Sequence, residues 1–529
     1  MGSSRYSKLP GQEQRNNRMS NLVTLSVKGN LLLVTPVTHE TESLVVRCAT
    51  YNRRCTGNGS RMSFEPCYLC SVEPNDGSPY LLTFAGLYHR VASELASNNI
   101  RFETKILMQK QLTANVDLLT DEDLRNLVGR DDQAHVLGLV SDHPGGFIVD
   151  APTGWGKSYI IAQVCQMLPS HRIAVISPGK EVTRMLYLML KRRIREVGQV
   201  GDGQNQISRI TVSTAESMMK LRHNDWDLLL FDEVHRAGAP ATANAISEVF
   251  KTAKCVGFSA SPTGRSDGAD LVVEALFGPV IYKVNYATSV NRGDIAPIKV
   301  KAYVIQKGAP VMTDKPVVRN RHGLWRNELR NSFIAKLAND IPGDEQALIM
   351  CSTAEHVLYL YKWLPNFDLI FSDMTKKLLE AVYRGEFGRI EGLDSTGSIT
   401  AARRAYMRKE FEAGRMKRVI ATGIWNTGVN FTQLRWLIRA DGMSSDIQSI
   451  QTPGRLSRVS DGKSHGTLID FIDEFDPVLA GRSTARLRRY RKNGWTVEEV
   501  RDPDLCIDTF TDMKRRRRRE PLGSSSNVQ

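Results

Sequence analysis

Residues 147–158 read Phe-Ile-Val-Asp-Ala-Pro-Thr-Gly-Trp-Gly-Lys-Ser. A short apolar run enters a Pro/Gly-rich turn, and Gly156-Lys157-Ser158 then opens a helix expected to run from Ser158 to about Met167. Such a turn aims successive backbone N–H groups inward, and the helix that follows begins with unpaired donors at its positive end, so the stretch is suited to a phosphate chain. Thr153, Gly154 and Gly156 would close the backbone around the β-phosphate of a nucleotide. Lys157 would reach the β- and γ-oxygens, and the Ser158 hydroxyl would ligate Mg²⁺. The strict phosphate-loop pattern asks for Gly at 151, where this chain has Ala151.

Downstream, Leu228-Leu229-Leu230-Phe231 ends in Asp232-Glu233-Val234-His235. A carboxylate at the C-terminal end of a parallel strand, beside a phosphate loop, is where such an enzyme holds Mg²⁺. Asp232 takes that role in this reading, and Glu233 orients or deprotonates the attacking water. Gln133, on an expected helix over 131–140, presents an amide that can pair with an adenine edge. Farther on, Gln451-Thr452-Pro453-Gly454-Arg455-Leu456-Ser457-Arg458 spaces two arginines three apart on one helical face. Arg455 and Arg458 can stabilise charge on a transferring γ-phosphoryl group, with Gln451 beside them. The substrate is then ATP and the metal Mg²⁺.

These groups need strand ends to hold them. Strands are expected at 147–150, 172–177, 209–213, 227–231 and 254–258, with helices between, one of them basic and near 181–196. This predicts a mostly parallel sheet covered on both faces. Ser177-Pro178-Gly179-Lys180 and Ser213-Thr214-Ala215 end two strands on the ligand-bearing edge. Lys180, Ser213 and Thr214 are therefore candidates for a nucleic-acid backbone, as is Thr422 in Ala421-Thr422-Gly423-Ile424-Trp425-Asn426-Thr427-Gly428-Val429-Asn430. Ser259-Ala260-Ser261-Pro262-Thr263 ends the 254–258 strand with short hydroxyl residues beside Asp232. A second unit without its own phosphate loop is expected from strands at 297–305, 346–351, 367–370, 417–421, 434–438 and 465–471 and helices near 324–338, 353–363, 401–413 and 445–456.

Before these units, residues 20–120 read as a small α+β domain, with strands at 22–27, 31–35, 43–49, 62–69 and 79–83 and a helix near 85–97. Cys48, Cys55, Cys67 and Cys70 fall here. The Cys67/Cys70 pair has the spacing of half a zinc site, and buried free cysteines are the alternative. After 476, Arg482, Arg486, Arg488, Arg489, Arg491 and Lys492 crowd an expected helix and turn that reads as a backbone-contact appendage. The divisions expected are 1–20 disordered, 21–120 an accessory DNA-binding domain, 121–290 the ATP-binding lobe, 291–478 a second lobe, and 479–529 a basic extension.

At 529 residues the chain is too long for one core. No run of eighteen apolar residues occurs, and the first twenty residues lack the apolar core of a secretory signal. With eight dilute cysteines, these features lead to the expectation of a cytoplasmic protein (host cytoplasm if phage-encoded), without a membrane and monomeric in the absence of nucleic acid. A net charge of +14, part of it in Lys514 and Arg515–Arg519, suits a polyanionic partner.

Taken together, these motifs resemble superfamily 2 helicases and translocases of the DEAH-box-like branch. Residues 151–158 look like motif I, 177–180 like Ia, 212–217 like Ib, 232–235 like II, 259–261 like III, 421–430 like V and 451–458 like VI, in the right order over roughly 125–475. The resemblance implies two tandem RecA-like lobes, with ATP between them and nucleic acid across their tops. Within the superfamily the chain is most similar to bacteriophage branch-migration helicases of the UvsW type. Phe84-Ala85-Gly86-Leu87-Tyr88-His89-Arg90-Val91 and the ending from Arg482 to Val497 support this. Ser261, Thr427 and Asn430 depart from the family pattern, the last two where acidic residues are frequent. The expected partner is single-stranded or branched DNA. The alternatives are an RNA or R-loop helicase, and a duplex translocase that does not separate strands.

Overall fold

The computed structural model describes residues 22–56, 62–75, 78–113, 130–265, 267–371, 374–388, 390, 392–394, 397–425, 431–444 and 450–506. The readings made at 1–20, at Thr427 and Asn430, at the start of the 445–456 helix and at the basic block 514–519 lie outside the described residues. The chain divides into two compact units, Met1–Ser289 and Val290–Gln529.

Unit 1 begins with a mixed sheet of β1 (Val23–Lys28), β2 (Leu31–Thr35), β5 (Ser71–Glu73), β6 (Tyr80–Phe84) and β7 (Phe102–Met108), in the order β5-β6-β2-β1-β7. Between β2 and β5 stand β3 (Thr50–Thr56) and β4 (Met62–Tyr68), which pair only with each other as an antiparallel ribbon. The strand expected at 43–49 is instead part of a helix, His39–Cys48. Its buried residues Thr41, Leu44, Val45 and Cys48 follow helical spacing, and Thr38 with Thr41 forms a capping box at its start. Val45-Val46 suggested a strand locally, but the cap and the 3.6-residue period prevail. Cys48 belongs to the core of this domain and Cys70 packs against it. Among the described residues no three His, Cys, Asp or Glu side chains form a metal-holding group, so the zinc reading gains no support.

The rest of unit 1 is one sheet, in the order β11-β10-β12-β9-β13-β14-β8-β15. Its strands are β8 (Phe147–Asp150), β9 (Ile173–Ser177), β10 (Val197–Gly201), β11 (Gln204–Asn205), β12 (Ile210–Thr214), β13 (Leu228–Asp232), β14 (Lys254–Ser259) and β15 (Val280–Lys283). Only the β10–β11 pair is antiparallel. Leu228 and Leu230 enter one apolar core while Leu229 and Phe231 enter another, so the sheet is covered on both faces. Strands β10, β11 and β15 were not expected from the sequence. They lie at or beside the two edges of the sheet, where fewer strongly apolar residues are required.

Backbone contact holds the N-terminal domain to the helix Asp270–Phe277, which packs on this sheet. A Cβ on Gly86 would lie 2.3 Å from the Glu274 carbonyl oxygen and 2.4 Å from that of Ala275, so no side chain fits there. Beside it Arg90 donates two hydrogen bonds to the Glu274 carboxylate, and His89 Nε2 lies 2.8 Å from Glu274 Oε1. The Phe84–Val91 signature is thus a docking surface.

Unit 2 is a seven-stranded parallel sheet ordered β18-β19-β17-β20-β21-β16-β22. Its strands are β16 (Ile298–Ile305), β17 (Gln346–Met350), β18 (Asp368–Ile370), β19 (Arg418–Ala421), β20 (Leu434–Arg439), β21 (Gly466–Asp473) and β22 (Thr496–Val500). The basic run after 476 is a helix, Pro477–Lys492, that packs on β21, and β22 extends the sheet beside β16. Arg486 is fully buried there and grips Asp470 through two 2.9 Å bonds, while the Tyr490 hydroxyl donates to the same carboxylate at 2.7 Å. Part of the run read as a nucleic-acid surface is therefore an internal anchor.

Two predictions follow from these charges. Burial alone would raise the Glu274 carboxyl, but the hydrogen bonds and charges of His89 and Arg90 outweigh it and bring it from 4.5 down to about 2. A depressed folded-state value contributes stability above pH 4.5 that is lost as pH falls towards 2. Glu274→Gln is expected to lower the unfolding free energy at pH 7 by roughly 1–3 kcal/mol, with the gap from wild type closing on acidification in urea titrations. Arg486→Ala leaves Asp470 buried without its partner and is expected to cost roughly 3–5 kcal/mol, read as a lowered denaturation midpoint.

Candidate active site

The phosphate loop joins β8 to the helix Lys157–Met167. Gly154 and Gly156 have φ of +91° and +108°, which L side chains rarely adopt. A Cβ on Gly156 would stand 2.8 Å from Gln133 Nε2. Lys157 Nζ donates to the carbonyls of Ala151 at 3.0 Å and Pro152 at 3.4 Å, folding the ammonium back over the loop. Ser158 is exposed in the first helical turn, and Thr153 is half-buried.

Trp155, fully buried, fixes the loop from inside. Its indole N–H donates to Asp132 at 2.7 Å, and its carbonyl accepts from Arg130 Nη2 at 2.7 Å and from Gln133 Nε2 at 3.0 Å. Arg130, Asp132 and Gln133 stand at the start of the helix Asp131–Asp142. The contact the structure gives Gln133 is thus a brace beneath the loop. Sequence reasoning missed Asp132 and Trp155 as members of the site. Their only signal is a Trp inside a glycine-rich turn, which must bury both its ring and its N–H.

Asp232 ends β13, two strands from β8, and is buried with only 6% exposure. Burial, then the charge of Glu233, raises its carboxyl well above the usual range, against the pull of Lys157 and the Glu233 N–H. A buried carboxylate at a strand end is a group whose charge a cation would stabilise. Glu233 has a φ of +55°, which turns its side chain back at the strand end. There Ser259 Oγ donates to Glu233 Oε2 at 3.3 Å, and His235 Nδ1 lies 3.0 Å from Ser259 Oγ and 3.5 Å from Glu233 Oε2. Burial first, with Arg236, Arg265 and Lys157 assisting against Glu233, pushes the His235 imidazole down to about 4, so it is neutral at pH 7. The Asp-Glu-Val-His run and the Ser259 strand end therefore form one hydrogen-bonded cluster. Arg265, also missed in the sequence, closes it from behind by donating Nη1 to the His235 carbonyl.

The expected nucleic-acid contacts divide. Lys180 is exposed at the start of the helix Lys180–Lys191, 3.7 Å from Asp202. Ser213 is fully buried and its hydroxyl donates to the Thr214 carbonyl, while Thr214 is 2% exposed. Neither presents its side chain to a backbone, because β12 is an interior strand. Thr422 is also buried, its N–H donating to the Ile370 carbonyl.

In unit 2 the turn Pro453–Ser457 is a 3₁₀ helix, so Arg455 and Arg458 are separated by one such turn. Arg455 is 7% exposed with its guanidinium 5.6 Å above the Phe431 ring. Arg458 is pushed down to about 10 by burial, against Glu412, and its carbonyl accepts from Lys463 Nζ at 2.9 Å. Gln451 lies half-buried just before the turn.

Two family descriptions match the chain. "Type III restriction enzyme, res subunit" covers residues 107–264, and "Helicase conserved C-terminal domain" covers 343–460. The chain is 22% identical over 389 residues to "DNA 3'-5' translocase XPB2" of Sulfurisphaera tokodaii, covering 69% of this chain and 84% of that protein. It is 22% identical over 355 residues to "ATP-dependent DNA helicase uvsW" of Enterobacteria phage T4, covering 62% of this chain and 65% of the T4 protein. Among solved structures, a fragment described as the HsdR subunit of a type I restriction enzyme from Vibrio vulnificus YJ016 superposes with a TM-score of 0.50 at 16% identity, over 80% of this chain and 76% of that one, a likeness of fold alone. With its two RecA-like parallel-sheet lobes, the chain carries the ATPase domains of a superfamily 2 helicase, is an ATP-dependent enzyme of the helicase–translocase kind, and is related at low identity to several superfamily 2 helicases, uvsW among them.

Proposed function

We propose that the chain is an ATP-driven DNA motor that acts on branched or partly duplex DNA. The observation that carries the reading is the cluster of Lys157, Asp232, Glu233, His235 and Ser259 at one edge of a sheet whose chain matches DNA-directed relatives, one named a DNA translocase and another a DNA helicase. Branched DNA as substrate, and a role in recombination or repair of phage DNA, rest on the likeness to the T4 protein.

In this reading the loop N–H groups from Thr153 to Gly156 and the Lys157 ammonium hold the triphosphate, with Lys157 exchanging its two carbonyl partners for phosphate oxygens. Gln133 braces the loop and meets the adenine edge with its remaining amide capacity. Asp232 and the Ser158 hydroxyl would hold a Mg²⁺, which would supply charge neutralisation for the phosphates. Glu233 accepts the proton of the attacking water, its carboxylate aimed by Ser259 and by neutral His235. Arg455 and Arg458, with Gln451, are the residues of unit 2 proposed to take part in hydrolysis, arginines being suited to stabilising phosphoryl charge. Lys180 touches the DNA backbone, and repeated hydrolysis moves the protein along one strand as a monomer. No helix among the described residues is long and apolar enough to cross a membrane.

The test is the steady-state ATPase rate with single-stranded DNA, duplex DNA, a four-way junction, an R-loop and RNA. Strong stimulation by the junction is expected, with Lys157→Ala lowering the rate by about 10²-fold or more. Stimulation by RNA alone would replace the reading with an RNA helicase. Equal stimulation by blunt duplex, without strand separation in a gel assay, would replace it with a duplex translocase.

A further inference from the structure

Beyond Lys180, the basic helix expected near 181–196 has no task in the proposed motor. It runs from Lys180 to Lys191 and packs on β9, β10 and β12. Thr183, Leu186 and Leu190 are its buried side, and Val182, Tyr187 and Met189 pack against the same core. The opposite side carries Glu181, Arg184, Met185, Leu188 and Lys191, all exposed, with exposed Arg192 at the C-cap. Spacing of i, i+3, i+4, i+7, i+10 and i+11 puts these six on one stripe of the helix. Met185 is 47% exposed and Leu188 46%. Residues three apart are surface neighbours on a helix, so the two form one apolar ridge in water.

The charge around the ridge is positive. Arg184, Arg192 and Arg195 are exposed and make no ion pair among the described residues. Lys191 Nζ donates to the Arg195 carbonyl at 3.0 Å, which keeps Arg195 at the C-terminal end of the stripe. Glu181 is the one carboxylate on the stripe, and Glu196, just past it, accepts from Arg209 at 3.0 Å. Between them Arg193 stands 5.2 Å over the ring of Tyr159, tying the end of the stripe to the helix that the phosphate loop opens.

Two apolar side chains among uncompensated cations call for a cover that answers both. Nucleic acid would neutralise the cations but would lay phosphates over Met185 and Leu188, setting charge against apolar surface. A membrane surface requires a broad apolar face, and this stripe offers two side chains. An amphipathic helix of negative charge answers both. Its apolar residues, spaced three and four apart, interdigitate with the ridge, and its flanking carboxylates meet the arginines.

We propose that the stripe centred on Met185 and Leu188 and bounded by Arg184, Arg192 and Arg195 is a docking face for an acidic amphipathic helix of a partner protein. The ridge sets which helix fits, and the arginines set its charge and the speed of encounter. The proposal is independent of the DNA-motor reading, since it rests on a surface outside the ATP site.

The experiment uses the full chain and fluorescein-labelled peptides of about eighteen residues, long enough to be helical. One peptide places leucine at i, i+3, i+4 and i+7 with glutamate on the flanks. A second has the same composition with that spacing scrambled. Anisotropy is expected to show the spaced peptide binding at least about tenfold more tightly than the scrambled one. Met185→Ala with Leu188→Ala is expected to weaken it by about tenfold or more. Met185→Leu with Leu188→Met keeps the ridge and is expected to bind like wild type. Arg184→Glu with Arg192→Glu is expected to lose the acidic peptide and to gain a spaced peptide with lysine in place of glutamate. All three variants are expected to keep the wild-type urea midpoint, which excludes misfolding as the cause. Equal binding of the spaced and scrambled peptides, or wild-type affinity in the alanine pair, would overturn the docking face. So would failure of the wild-type chain to bind the spaced peptide at about 1 mM. If the alanine pair weakened binding of a labelled single-stranded DNA by the same factor, the face would belong to nucleic acid and the proposal would fall.

Discussion

A carboxylate buried at the end of a dry sheet, where its surroundings oppose its charge, is the constraint around which unit 1 is arranged. The β13 strand is apolar on both sides, so its end is the first place along it where a polar side chain can stand. Asp232 stands there, and its burial beside Glu233 opposes ionisation. What relieves the opposition is positive charge, and the order β13-β14-β8 puts the lysine of the phosphate loop two strands away. In the proposed function, a single ligand that brings a cation and phosphate together would satisfy both groups at once. That is why sheet order matters as much as the residues.

Loop and cluster are each held from behind by neighbouring side chains. Trp155 pins the phosphate loop to the start of the helix that Arg130, Asp132 and Gln133 open. On the other side Ser259, His235 and Arg265 fix where Glu233 can point. Preorganised groups of this kind cost no reorganisation when charge develops. Unit 2 uses charge to the same end, with Arg486, Asp470, Tyr490 and Arg439 tying the helix Pro477–Lys492 to the sheet. Arg489 then donates to the Ser444 carbonyl, bracing the chain shortly before the arginine-bearing turn.

Much of this was legible beforehand. Runs such as 147–150, 228–231 and 254–258 cannot be anything but buried strands, and the glycines at 154 and 156 required a turn with positive φ, which the backbone shows. Less legible were places where two local signals compete. The Val45-Val46 pair favoured a strand over 43–49, yet Thr38 could cap a helix whose buried positions repeat every three to four residues. The small hydroxyls at 213 and 214 suited a strand end facing a ligand, but β12 is flanked by β9 and β10 and buries them. Arginines after 476 read as a backbone-contact appendage, although Arg486 is spent entirely inside unit 2.

The sequence by itself determined the chemistry available: a phosphate-binding turn, a paired carboxylate at a strand end, an arginine pair and a basic chain. Those are properties of residue type and local spacing, and they survive without knowing what lies beside what. Only the tertiary structure decided which groups became partners. Gly86 against the 274–278 backbone, Trp155 against Asp132, and Arg265 between His235 and Asp267 join residues with no sequence relation to one another. Such contacts are set by strand order and by close approach of backbones, which depend on the whole packed sheet and on no stretch of the chain alone.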